Sequence, residues 1–307
     1  MKVLLCTDGS AHARAALDLL RRLPVNEDTE VTVLNVVEDV PFAGDDTIIE
    51  SEERDALQNI RAAMQRDADG LVAREAERLR ATEWAIRAVT QHGPIAQQII
   101  EAAEEFRSDL IVTGALGLSE RRRRMRLGSV PRRVLRYAQC SVLVARPTPE
   151  EIGSAEALTE AAGRLKLLLA FDGSPSANAA VARLASCSLQ DRAELTVLTV
   201  LTVATTRYRR DILERMSRTW QEYKQGAQKD LDAAVVALRK AGPNVSGRLL
   251  EGGPDASEEI LSAASVIGAD VVVVGHTGKT RVKQFLLGSV SSELMESAPC
   301  SVWVIKD

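Results

Sequence analysis

The residues whose types and spacing best suit chemistry are Gly275-His276-Thr277-Gly278, followed by nine residues and then Gly288-Ser289. Glycines let the main chain approach a ligand closely and adopt positive φ. A helix beginning at Gly288 would present the amides of Gly288, Ser289 and Val290, with their partial positive charge, to an anion. The Ser289 hydroxyl adds a further donor, so the chemistry indicated is phosphate binding. Gly278-Lys279-Thr280 resembles the end of a Walker A loop, but that loop needs a glycine five residues before Gly278, where Val273 stands. The dinucleotide pattern GxGxxG is also absent.

Other reactive side chains do not assemble into a catalytic pattern. His12, His92 and His276 lie far apart and none has zinc-ligand spacing. His12 and His92 read as surface residues, whereas His276, inside the glycine loop, is a candidate for the ligand's surroundings. No second carboxylate is evidently placed with Asp172 for hydrolysis, and no catalytic arginine can be assigned. Cys6, Cys140, Cys187 and Cys300 form no CxxC pair and read as reduced, buried residues.

Alternating strands and helices must position the loop. Aliphatic runs at Lys2–Cys6, Val31–Val36, Leu110–Thr113 and Val142–Ala145 read as buried strands, as do Leu165–Phe171, Leu195–Val200, Val271–Val274 and Val302–Ile305. Helical segments, among them Ala11–Arg22 and Glu258–Ile267, lie between them. Long charged stretches at 38–80 and 202–241 read as solvated helices covering the sheet. A partner interface is the other reading of Tyr208, Trp220, Tyr223 and the arginines around them. The order predicts an open, doubly wound α/β fold, whose ligands bind beyond the strand carboxyl ends.

The chain repeats itself. Residues 2–23 align with 166–187, 30–36 with 194–200, 108–117 with 269–278 and 128–145 with 288–305. This predicts two parallel-sheet domains, 1–147 and 164–307, joined by a linker at 148–163 that contains two prolines and two glycines. In the first copy Gly114 and Gly117 precede Gly128-Ser129 by ten residues instead of nine. The insert holds Arg121-Arg122-Arg123-Arg124, with Arg126, Arg132, Arg133 and Arg136 nearby. Three readings compete: a solvated or interface-facing run, arginines reaching a phosphate, and a dock for an acidic protein.

Composition narrows the partners. The net charge of −4 gives no global basic field of the kind nucleic-acid binders show. No apolar run approaches the ~20 residues needed to span a bilayer. Asp8 interrupts the N-terminal apolar run too early for a secretory signal, so the expected compartment is the cytoplasm.

With its G-x2-G-x9-G-S loop, the sequence resembles the universal stress protein family, and its ATP-binding branch in particular; the likeness spans both copies. The resemblance implies a three-layer, flavodoxin-like sandwich of the adenine nucleotide alpha hydrolase-like kind. It also implies that Gly275, Gly278, Gly288 and Ser289 hold the ATP phosphates and ribose. By the same resemblance Asp172, following Ala170-Phe171, faces the nucleoside and Val200 contacts adenine. Asp8, Val36, Gly114, Gly117, Gly128 and Ser129 are the first-copy counterparts. Mg²⁺ is expected only with the nucleotide, where Asp172 would help to hold it. The expected function is nucleotide-dependent stress signalling; the alternatives are a slow ATPase, an autophosphorylating enzyme or an interaction scaffold. The family's dimerisation through the last strand implies an internal pseudo-dimer that assembles into a homodimer.

Overall fold

The computed structural model describes residues 1–38, 51–118, 127–147, 163–202, 210–253, 255–278 and 287–306. The arginines 121–124 and 126, the linker residues 148–162, Tyr208, and Lys279-Thr280 lie outside the described residues.

The first copy runs β1 (Lys2–Cys6), α1 (Ala11–Arg22), β2 (Glu30–Val37), α2 (Ser51–Arg78), β3 (Ala85–His92), α3 (Ile95–Glu105), β4 (Leu110–Gly114), α4 (Ser129–Tyr137) and β5 (Ser141–Ala145). The second copy repeats it as β6 (Leu165–Ala170), α5 (Pro175–Ala185), β7 (Ala193–Thr202), α6 (Arg210–Leu238), β8 (Val245–Gly252), α7 (Ala256–Ile267), β9 (Val271–Gly275), α8 (Ser289–Ser297) and β10 (Ser301–Ile305).

Among the described residues, ten strands form one sheet in the order β3-β2-β1-β4-β5-β10-β9-β6-β7-β8. Within each copy all pairings are parallel. The copies join where β5 and β10 pair antiparallel, with Trp303 opposite Leu143. The strand order reverses between β1 and β4, and again between β6 and β9, so each copy has one switch point at its strand carboxyl ends.

Consecutive strand residues face opposite sides, so each strand feeds two cores. Val3, Leu5, Leu167, Leu169 and Trp303 pack under α1, α2, α5 and α6. Leu4, Cys6, Leu168, Val302 and Val304 pack against α3, α4, α7 and α8. Both cores run across the junction between the copies. This explains why the strand sequences read as continuous aliphatic runs.

The junction is braced by reciprocal cations. Arg146, which follows β5, donates to the Cys300 carbonyl at 3.4 Å and to the Met295 carbonyl, at the end of α8. Lys306, which follows β10, donates to the Leu135 and Ala138 carbonyls at 2.7 and 2.6 Å, at the end of α4. Each copy thereby places a cation on the negative end of the other's last helix. Arg22 pairs with Asp270 at 3.5 Å, and the Ser188 amide donates to the Pro24 carbonyl at 2.8 Å.

Candidate functional site

The same local turn aims a carboxylate at each switch point. Asp172 lies two residues beyond β6 and its Oδ1 accepts from the Ser174 amide at 2.9 Å. Gly173 between them has φ of 75°, a left-handed conformation that glycine adopts without steric cost. Ser174 then caps α5 by accepting from the Ala177 amide at 3.2 Å, and Pro175 starts the helix. In the first copy Asp8, Gly9 and Ser10 do the same, with Gly9 at φ 74° and Ser10 capping α1 at 3.1 Å. The Asp-Gly-Ser sequence is thus first a turn, and it leaves Oδ2 of each aspartate directed at the neighbouring loop.

Gly275 and Gly114 are needed for close packing. A Cβ on Gly275 would stand 2.5 Å from Ser176 Oγ and 2.8 Å from its carbonyl carbon, and one on Gly114 would stand 2.7 Å from the His12 carbonyl carbon. After each glycine the loop is pinned in the same way. The His276 amide donates to the Ile305 carbonyl at 2.9 Å, and the Gly288 amide donates to the His276 carbonyl at 2.8 Å. In the first copy Ala115 and Gly128 do the same, at 2.9 and 2.8 Å. The Gly288 amide, expected to face an anion, is therefore already spent on the loop, and the donors that remain begin at Ser289. Ser291 Oγ adds bonds to the His276 and Gly288 carbonyls at 3.1 and 3.0 Å. Among the described residues, no side chain caps the start of α8.

The second copy holds a cavity of about 630 Å³ over the ends of β6, β7 and β9. Ala170, Asp172, Val200, Gly275, Gly278, Gly288, Ser289 and Val290 all line it. His276 does not. Its main chain is committed to the loop, and its Nδ1 is buried without a hydrogen-bond partner among the described residues. The cavity also takes in Ile260 from α7 and Ala227 and Asp230 from α6, which the sequence reading missed, and Tyr223, which it placed on a solvated or partner-facing helix. Asp230 places a second carboxylate in the same cavity as Asp172. Its signal in sequence was hidden because α6 is charged on most of its surface.

The first copy divides the corresponding space. Asp8, Val36, Gly114, Gly117 and Ser129 line a pocket of about 270 Å³, to which Gly128 does not contribute. A separate hollow of about 630 Å³ lies under α2. Asp8, Asn35, Val36 and Leu118 border both. At their shared border the Leu118 amide donates to Asp8 Oδ2 at 3.0 Å. At the helix start, Pro131 stands where α8 has Ser291, which removes one amide donor. Two of the described arginines of this region are engaged. Arg132 bonds the Leu127 carbonyl at 3.3 Å and Glu296 of the second copy at 3.1 Å, and Arg136 lies 5.5 Å from the Tyr137 ring centroid.

Charge and burial correct two further expectations. His12 is half-buried instead of lying on the surface, and burial, followed by the Arg146 charge, lowers its pKa. Cys6 and Cys187 are buried, but Cys140 and Cys300 are only half-buried, and all four are free thiols. Burial pushes Cys140, Cys187 and Cys300 each up to about 11, far from a reactive thiolate. His92 is exposed and bonds Gln65.

No helix among the described residues is long and apolar enough to cross a membrane. The sequence profile described as "Universal stress protein family" matches residues 1–146 and 163–306. A universal stress protein of Mycolicibacterium smegmatis is 26% identical over 316 residues, covering 99% of this chain and 96% of that protein. A putative universal stress protein of Staphylococcus haemolyticus is 30% identical over 144 residues, 46% of this chain and 83% of that one. Among solved structures, a universal stress protein from Archaeoglobus fulgidus shares the fold at a TM-score of 0.60 and 19% identity, covering 99% of this chain and 96% of that one. The chain belongs to the universal stress protein family and carries two tandem copies of its α/β domain.

Proposed function

We propose that the second copy binds ATP and that the protein acts as a nucleotide-dependent stress-response protein. The observation that carries this reading is the single cavity of about 630 Å³ that joins the start of α8 to an apolar end. The apolar end, at Leu198, Val200, Ala256 and Ile260, suits a flat base. The other end offers uncommitted donors at a helix start, which suit phosphates. A Cβ on Gly288 would meet the Gly278 amide nitrogen at 3.4 Å, an ordinary contact distance, so the fold itself tolerates a side chain there and a substitution reports on the ligand.

Ser289 and Val290 would hold the phosphates, Val200 and Ala170 the base, and Asp172 the nucleoside. Bound ATP supplies negative charge at the start of α8, and it shifts the protein's conformation or association only as far as it binds one state better than another. Among the described residues, no group of three or more His, Cys, Asp or Glu side chains stands close enough to hold a metal. Mg²⁺ would arrive with the phosphates, with Asp172 offering a protein carboxylate.

Isothermal titration of the full chain with ATP tests the reading. One site per chain is expected, abolished by Gly288→Val, whose native φ of −62° any residue adopts. Unaltered binding by this variant would place the nucleotide elsewhere.

A further inference from the structure

Helix α6 supplies one wall of the second cavity, a wall the phosphate loop does not use. Tyr223, Ala227 and Asp230 line the cavity at intervals of four and three residues, which places them in one stripe along the helix. The helix is tied to the sheet at Glu251, near the end of β8, which accepts hydrogen bonds from Lys224 and Trp220. Asp230 is exposed at the cavity, in the same lining as Asp172 and Gly173.

The repeat gives Asp230 its place along the cavity. Val72 and Leu79 in the first copy, and Leu231 and Leu238 in the second, are buried pairs with the same spacing, and they set α2 and α6 in register. On that register Asp230 stands where the first copy has Leu71. The Leu71 side chain lies over Gly9, with Cδ1 3.3 Å from where a Cβ on that glycine would be. Gly173 is the counterpart of Gly9, so Asp230 belongs over the end of β6, beside Asp172. In the sheet β6 lies between β9, which leads into the loop before α8, and β7, which carries Val200, so its end stands between the two ends of the cavity.

An ionised carboxylate only accepts hydrogen bonds, and it repels phosphate. In a nucleoside triphosphate with its phosphates at α8 and its base at Val200, the group at the midpoint is the ribose, and its hydroxyls are donors. We infer that Asp230 recognises the ribose diol and makes the second copy selective for ribonucleotides over sugars lacking those hydroxyls. This inference rests on the ATP reading of the same cavity. Leu71 denies the first copy that acceptor.

The test compares ATP with 2′,3′-dideoxy-ATP by titration of the full chain in EDTA. The wild-type protein should bind ATP about tenfold more tightly, the size expected for a hydrogen bond to a charged acceptor. Asp230→Leu, which installs the residue the fold already carries in the other copy, should bring the two nucleotides to parity. Asp230→Asn, which keeps one acceptor oxygen, should fall between. An equal preference in the wild type and Asp230→Leu would overturn the inference while leaving ATP binding intact. So would a loss seen only when Mg²⁺ is added, since Asp230 would then act through the metal. If the wild-type chain binds neither nucleotide, with or without Mg²⁺, the ATP reading itself fails.

Discussion

The two switch points are built from the same turn, strand order and helix start, yet one opens into a single cavity and the other is partitioned. In the second copy the space runs unbroken from α8 to the wall formed by α6. In the first, the space is split into a pocket of about 270 Å³ and a hollow of about 630 Å³, and the Leu118 amide bonds Asp8 at their shared border. Pro131 for Ser291 and Leu71 for Asp230 remove further polar groups from the first copy. A duplicated fold can therefore keep its scaffold while a few loop and helix positions change the shape and polarity of the space at its switch point.

The largest expected effect tests what the copies share. Gly275→Ala and Gly114→Ala each force a Cβ into main-chain atoms of the facing helix, so each should lower stability by about 1–3 kcal/mol in urea unfolding. Similar losses would show that both glycines serve the scaffold, while only Gly275→Ala should also weaken ATP binding. A second comparison concerns the reciprocal cations. Arg146→Met should cost about 2 kcal/mol, because it leaves the carbonyls at the end of α8 without their charged donor. Lys306→Met should cost a similar amount, because burial lowers the pKa of both cations, Lys306 to about 8, and each bonds carbonyls of the other copy.

The thiols give a pH dependence with a defined sign. Cys140, Cys187 and Cys300 rise from 9.0 to about 11 in the folded protein, and Cys6 rises further, mainly through burial. Above about pH 9 the unfolded chain therefore binds fewer protons than the folded one, and stability falls as pH rises, most steeply up to about pH 11 and more slowly beyond it through Cys6. Lys306 acts in the opposite direction between about 8 and 10.5, but it is one group against four. Cys140→Ala and Cys300→Ala, at equivalent positions, should flatten the slope of the urea midpoint against pH to similar extents. Unequal effects would show that the junction is not symmetric. The smallest effect is expected at Trp303, whose Nε1 is buried with no partner among the described residues. Trp303→Phe removes an unsatisfied donor but opens a small gap, so its thermal unfolding should shift by less than about 1 kcal/mol.

Much of the architecture was legible because buried parallel strands must be aliphatic on both faces, and because the chain repeats those strands in order. The strands β3 and β8 were not located from the sequence. They are the outermost strands, largely exposed, and Ala85–His92 and Val245–Gly252 mix polar and apolar residues accordingly. The glycine loops stood out because their spacing is rigid. Asp230 did not, because a long charged helix does not reveal which charged residue turns inward until its partner strands are placed. The role of Leu118 was equally hidden, since its bond to Asp8 uses a main-chain amide that any residue possesses.

The central claim is that one copy of the two holds nucleotide. Denaturing the freshly purified chain, then identifying and counting the released nucleotide, tests it most directly. One ATP per chain is expected, lost in Gly288→Ala/Ser289→Ala and retained in Gly128→Ala/Ser129→Ala. Two per chain, or retention in the first variant with loss in the second, would contradict the account.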